Sequence, residues 1–342
     1  MMMKWMRESG PDSDIVLSSR IRLARNPEGV PFPAGCEDAK RAEIIDAAVK
    51  ALQPAGLTVV DPASLTVGEI RALTEQHVIS PAFAKDTHPR MLLTDEAMQA
   101  AVMLEEEDHI RIQTFAAGFA LTEAYETAAK LDTLLDEGMR IAYSEELGYL
   151  THCPTNLGTA MRASVMVHLP ALKLSGQLPG IIRSLTQLGI TVRGIYGEGS
   201  DSAGALYQIS NSVTLGFTEG EILEKLDGIV RRLIESERKL RDTMKSDSYA
   251  RLCDRVMRAR GILRSAYILP LAEFMELWSD VRLGTAMGLL QDLDIAPLGA
   301  VMTGAMPGNL LLFCGAGEDT PEGELAILRA KYVSEHLAGE CG

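Results

Sequence analysis

Ser18-Ser19-Arg20-Ile21-Arg22-Leu23-Ala24-Arg25 sets guanidinium groups into a run whose other residues are small or apolar. Successive side chains of a strand point to opposite faces, so Arg20 and Arg22 share one face, and Arg25 follows just beyond. Three further arginines stand in or beside apolar, strand-like runs: Arg111 in DHIRIQ, Arg162 in GTAMRASV and Arg193 in TVRGIYG. A solvated charge has no need of such positions. Either each arginine pairs with one of the 47 acidic residues, or strands lie side by side and pool their cations. A planar guanidinium with five donors grips phosphate oxygens two at a time, so pooled strands would make a triphosphate cradle.

Outward from this strand, periodicity sorts the chain. Residues 37–53 have helical spacing of apolar positions, ended by Pro54, and residues 65–79 read as a second helix that ends near Pro81. MLLT, AAVML and HIRIQTF are strand-like, as are SVMVHLP, TVRGIYG and ALYQISN. Between these groups, Leu121–Tyr143 is a long amphipathic helix pattern. Residues 218–244 form another, opened by Thr218 with Glu221 three positions on, a capping box. Beyond about residue 245 the pattern is helical with Gly and Pro punctuation, apart from the apolar run Asn309–Cys314. The expected division is a mixed α+β body over 12–245 and a mostly helical part over 246–342. The stretch RSAYILPLAEFMELW (264–278) fits core packing or an interface with a second copy or a partner.

Composition narrows the function. The chain has 342 residues, enough for one large domain or two, and a net charge of −14 from 33 basic and 47 acidic residues. Such a balance argues against a general nucleic-acid binder, which needs a basic face, yet leaves room for a small basic pocket in an acidic body. Five scattered cysteines without a CxxC pair fit free thiols in a reducing cytosol. No leader-like segment or apolar run of about 18 residues is present, so a soluble, cytoplasmic protein is expected. There is no GxxxxGK[ST] loop, GEGSDSAG (197–204) does not fit GxGxxG, and no HExxH or His/Cys cluster suggests zinc.

Carboxylates form the second constellation. LEEEDH (104–109) ends an apolar strand in four acidic residues, and Glu198 sits in the small, polar, glycine-rich segment 197–204, expected to be a mobile loop. As a surface feature the run would simply be a solvated face. Beside an arginine cradle, two glutamates from separate segments instead suggest an acidic slot for a cationic substrate next to an anionic one. CPTNLGTAMRASV (Cys153–Val165) concentrates a thiol, turn residues and Arg162 immediately before a strand.

Taken together, SSRIRLAR, EEEDHIR, CPTNLGTAMRASV and RGIYGEGSDSAGALYQISN resemble the phosphagen (guanidino) kinase family, strongly over about residues 12–245. Within it the chain resembles the bacterial branch that phosphorylates arginine side chains of proteins. The resemblance implies an α+β fold, an antiparallel sheet flanked by helices. It implies ATP as phosphoryl donor, bound by Arg20, Arg22, Arg111, Arg162 and Arg193, with His77 contacting the nucleotide and Mg²⁺ carried by the phosphates rather than by a protein ligand set. Glu107 and Glu198 would hold and deprotonate the substrate guanidinium, with Cys153 as the active-site cysteine. Protein substrates with exposed arginines, an activator protein, a protease–chaperone machine in protein quality control and a homodimer are the implied partners. A kinase of free arginine or another small guanidine, or a non-catalytic adaptor that binds ATP or phosphoarginine for proteolysis, are the competing readings. The chain departs from the family in three places. Glu105 replaces the usual Asn, Met166 stands where metabolic members carry a histidine, and residues 325–330 only partly match the branch's RDxxRA phosphoarginine-docking motif.

Overall fold

Alternation in the Ser18–Arg25 run is expressed as a strand at the centre of the molecule. The computed structural model describes residues 3–195 and 202–337. In chain order the elements are β1 (Val16–Arg25), α1 (Asp38–Leu52), β2 (Thr58–Val60), α2 (Val67–Glu75), α3 (Pro81–Lys85), β3 (Met91–Thr94), β4 (Ala100–Leu104), β5 (Ile110–Ala117) and α4 (Leu121–Gly138). A short hairpin follows, β6 (Tyr143–Ser144) and β7 (Gly148–Tyr149), then β8 (Met161–His168), α5 (Pro170–Leu174), α6 (Leu178–Gln187), β9 (Ile190–Gly194) and β10 (Leu206–Asn211). Long α7 (Glu219–Asp247) leads to α8 (Tyr249–Ser265), α9 (Leu271–Ala286), α10 (Ile295–Gly304), α11 (Pro307–Cys314) and α12 (Glu322–Leu337).

Among the described residues the main sheet has eight antiparallel strands in the order β2-β3-β4-β5-β1-β8-β10-β9. The fold is therefore α+β, with an antiparallel sheet flanked by helices. Its two faces divide the work. Ile21, Leu23, Ile112, Val165 and Ile209 point to one side, where α1, α4 and α7 bury them with Ile45, Leu131, Leu135, Ile229 and Leu233. Helix α7 begins with the reciprocal capping box, Thr218 with Glu221, which satisfies two otherwise orphaned N–H groups.

The opposite face carries Arg20 and Arg22. Phe115, Met166 and Leu206 on that face share a core with Trp5 and Phe83 and with Phe274, Trp278, Met302 and Val333 of the C-terminal helices. Those helices therefore cover part of the arginine face instead of standing apart from the sheet. The apolar run 309–314 lies within helix α11, which has Pro307 at its start and left-handed Gly315 just past its end, the usual asymmetry of helix termini. No single helix among the described residues is long and apolar enough to cross a membrane.

His168, at the end of β8, fastens this second layer: its Nε2 lies 2.7 Å from Ser279 Oγ of α9, and its ring meets Trp278 edge-on. Burial, reinforced by Arg282, Arg241 and Lys173, holds the imidazole well below its ordinary pKa. The unfolded chain binds a proton below about pH 6.5 that the folded chain refuses, so stability falls as pH drops through that point. The expected slope from this one residue is about 1.4 kcal/mol per pH unit. Urea unfolding between pH 7.5 and 5 checks it: His168→Gln should flatten the slope by about one proton.

Candidate active site

Cross-strand register builds the site. Arg22 lies opposite Gln113 of β5 and Arg162 of β8, Arg20 opposite Phe115 and Ser164, and Arg111 opposite Ala24. Gln208 of β10 lies opposite both Met166 and Arg193. Directly opposed residues share a face, so Arg20, Arg22, Arg111, Arg162 and Arg193 all project from one side of the sheet. Arg25, at an odd offset, points to the other. It donates to both carboxylate oxygens of Asp132 on α4, at 2.8 and 2.7 Å, and stacks 3.4 Å from the Tyr149 ring centroid. Arg25 is thus a core tie. Arg25→Ala should cost about 3–5 kcal/mol by stranding Asp132, read as a fall in the urea midpoint, while nucleotide affinity stays as it was.

Only Arg111 among the five has a carboxylate partner among the described residues, with Glu106 at 2.6 Å and Glu107 at 3.0 Å. Arg162 donates to Ser210 Oγ at 3.1 and 3.3 Å. Buried Nε of Arg22 has no acceptor among the described residues. The structural arginines behave differently: Arg41, Arg238 and Arg241 each lie against one or more carboxylates. Crowding has the expected electrostatic effect. Burial first, then Arg162 and Arg111, lower Arg20 to about 10. Burial, then Arg20, Arg162 and Arg111, lower Arg22. For Arg162, burial acts ahead of Arg193 and Arg111. His77, whose backbone is left-handed with φ 62°, lines a crevice with Arg20, Met166 and Gln208. Burial, Arg20 and Arg22 push its imidazole down to about 3, so it stays neutral.

The acidic run is the connection between β4 and β5, and it is no solvated face. Glu105, Glu106 and Asp108 are buried, and Glu107 alone is exposed. Glu106 accepts from Ser80 Oγ at 2.5 Å and from the Glu107 N–H at 3.1 Å. Asp108 Oδ1 accepts from Asn26 Nδ2 at 2.8 Å and from the His152 N–H at 2.7 Å. Asp108 therefore pins the acidic turn to the loop that carries Cys153, whose Sγ lies 3.0 Å from Thr155 Oγ1. Beyond a short 3₁₀ turn at Pro154–Asn156, left-handed Gly158 passes against the backbone of Thr214 and Leu215, where a Cβ would clash.

A cavity of about 150 Å³ lies at the junction, lined by Arg22, Arg111, Asn156, Met161, Arg162 and Glu107. It has a wall of cations and one exposed carboxylate. Arg20 and His77 continue the wall along β1, and Arg193 stands exposed on the same face beyond β10. The structure brings these residues together, with Cys153 one hydrogen-bonded loop away. Glu198 lies outside the described residues, as does most of the segment 197–204. Asp108, Asn26 and Ser210 are site-building residues that the sequence reading did not single out.

A cationic sheet face meeting a single exposed glutamate defines a class of protein, the guanidino phosphotransferases. The profile of the ATP:guanido phosphotransferase C-terminal catalytic domain matches residues 42–240, and that of the protein-arginine kinase McsB C-terminal domain matches residues 249–340. The chain belongs to the ATP:guanido phosphotransferase family and is an enzyme of that class. Its relatives include the protein-arginine kinase of Caldanaerobacter subterraneus subsp. tengcongensis, 42% identical across 95% of this chain and 98% of that protein. A protein-arginine kinase of Geobacillus sp. is also 42% identical, over 98% and 94% of the two chains. Among solved structures, the substrate-free duplicated taurocyamine kinase of Schistosoma mansoni superposes with a TM-score of 0.61 at 25% identity, covering 79% of this chain and 41% of that one. A lombricine kinase superposes with a TM-score of 0.59 at 24% identity over 70% of this chain and 72% of that one, a likeness of fold.

Proposed function

We propose that the chain transfers the γ-phosphoryl group of ATP to arginine side chains of other proteins, in the cavity between the arginine face and Glu107. The observation that carries this reading is that Arg20, Arg22, Arg162 and Arg193 form no ion pair within 4 Å of a carboxylate among the described residues although carboxylates outnumber cations in the chain. Buried like charges destabilise one another, and a polyphosphate relieves them.

A protonated guanidinium, with a pKa of about 12.5–13.8, has no free lone pair to attack phosphorus. Glu107 takes the proton from the attacking nitrogen and aligns the planar group. Glu198, assigned by resemblance, grips its other edge. Arg20, Arg22, Arg111 and Arg162 hold the phosphates and stabilise charge that spreads over the equatorial oxygens of the transferred group. As a guanidinium enters, Glu107 exchanges its contact with Arg111 for the substrate, and Arg111 turns to phosphate. Cys153, tethered through Asp108, borders the guanidinium. Among the described residues no group of three or more His, Cys, Asp or Glu is placed to hold a metal. Mg²⁺, assigned by resemblance, would ride on the phosphates and water, where it would neutralise oxygen charge.

A cytoplasmic setting, an activator and a protease–chaperone machine extend this reading. Exposed Tyr267 and Ile268 of the α8–α9 connection, with Phe313 of α11 and Ile327 of α12, suit a homodimer contact or such a partner. Incubation with Mg-ATP and a protein rich in exposed arginine, in parallel with free arginine, tests the function. Acid-labile phosphate on the protein is the expected product. Phosphate on free arginine alone would establish a small-guanidine kinase, and ATP binding without transfer would leave an adaptor.

A further inference from the structure

Ser80 holds Glu106, and Asp108 ties the β4–β5 connection to the cysteine loop. A further anchor is a buried trio that the mechanism above does not use. Glu105 and His109 are both fully buried, and Arg41 of α1 is 4% exposed. His109 Nδ1 lies 2.7 Å from Glu105 Oε1, and its Nε2 lies 2.8 Å from the Pro31 carbonyl. A carbonyl only accepts, so Nε2 carries a hydrogen, and one further proton lies between Nδ1 and Oε1. Glu105 Oε2 faces Arg41 Nη1 across 3.7 Å. Arg41 in turn donates to the Pro33 and Cys36 carbonyls. The trio thus clamps residues 31–36, and Phe32 of that segment meets the His152 ring edge-on at 5.7 Å, next to Cys153.

Glu105 occupies left-handed backbone, φ 67°, a conformation that suits Asn far better than Glu. An Asn side chain, one carbon shorter, would not reach across to His109 and Arg41. A longer acid in an unfavourable backbone state is explained by what it touches.

We propose that Glu105 and His109, backed by Arg41, are positioning residues that fix Glu107 against the guanidinium and hold Phe32 along the same side of the site. The proposal rests on the function proposed above. Its consequence is a split between binding and chemistry, because the trio touches no arginine of the phosphate face.

The test compares Glu105→Ala, Glu105→Asn, Glu105→Gln and His109→Gln by two readouts on the full chain. Amide hydrogen exchange over 31–36 and 105–109 reads the clamp without any catalysis, and kcat with ATP affinity reads its effect. Glu105→Ala and Glu105→Asn should speed exchange in both segments and lower kcat about tenfold or more, since displacement of an aligned group by an ångström costs up to about 100-fold. ATP affinity should stay within about twofold. Glu105→Gln keeps the reach and a hydrogen bond, and should retain most of both properties. Unchanged exchange in Glu105→Ala, or faster exchange with kcat intact, would overturn the proposal. A wild-type chain that protects these amides but phosphorylates no arginine would overturn instead the reading on which it rests.

Discussion

Glu107→Gln lowers arginine phosphorylation about 10²–10⁴-fold while ATP affinity changes little: this is the expected result if Glu107 is the base, for that is the usual worth of a positioned proton acceptor. Gln keeps the shape and can still bond to Arg111, so lost activity would report lost charge and basicity and not a collapsed loop. Glu106 is the internal control. It is buried, fully engaged by Ser80, Arg111 and the Glu107 N–H, and its substitution should lower stability along with activity. Glu198→Ala should abolish transfer by the same reasoning, since a guanidinium held at one edge is neither aligned nor neutralised. Single-turnover transfer of labelled phosphate to a protein substrate, with ATP affinity measured separately, distinguishes these cases. Glu107→Gln with wild-type turnover would remove Glu107 from the chemistry.

Local elements were legible because their signals are local. Alternation in SSRIRLAR, the Thr218–Glu221 box and the proline after residue 53 each set an element or its end from adjacent residues. The same alternation puts Arg25 on the far face, an odd step from Arg20 and Arg22, and its bond to Asp132 then follows. Helix α4 stops at Gly138, before the Tyr143 that the apolar pattern suggested, since glycine is a poor continuation of a helix. The run 309–314 gave no strand or helix from its apolar letters alone; Pro307 and Gly315 carried the information. What stayed hidden was long-range. Nothing in one sequence says that β1 lies between β5 and β8, or that Asn26 meets Asp108, 82 positions away. Nor could it show that the C-terminal helices cover part of the arginine face, because an amphipathic helix shows that it has a partner and not which one. The four candidate motifs were each visible as odd charges in apolar settings; their convergence is a property of strand order.

Replacing both Arg20 and Arg22 by Ala should weaken ATP binding by about 10²–10⁴-fold, taking each charge-assisted contact as about 1.5–3 kcal/mol. The more discriminating expectation concerns the chain without nucleotide. Both guanidinium groups are lowered from their ordinary pKa by burial and by neighbouring arginines, so the free protein bears unrelieved repulsion. Removing the two charges takes away that strain together with the contact of the Arg20 guanidinium over the Phe115 ring, and the free variant should unfold no more easily than the parent. ATP at about 100 times its dissociation constant stabilises the parent by about 2.7 kcal/mol through binding to the folded state alone. At the same concentration the variant should gain almost nothing. Thermal scans with and without ATP read both quantities in one experiment. Arginines that served only the fold would give the opposite pattern, with a less stable free variant and a full nucleotide-induced shift.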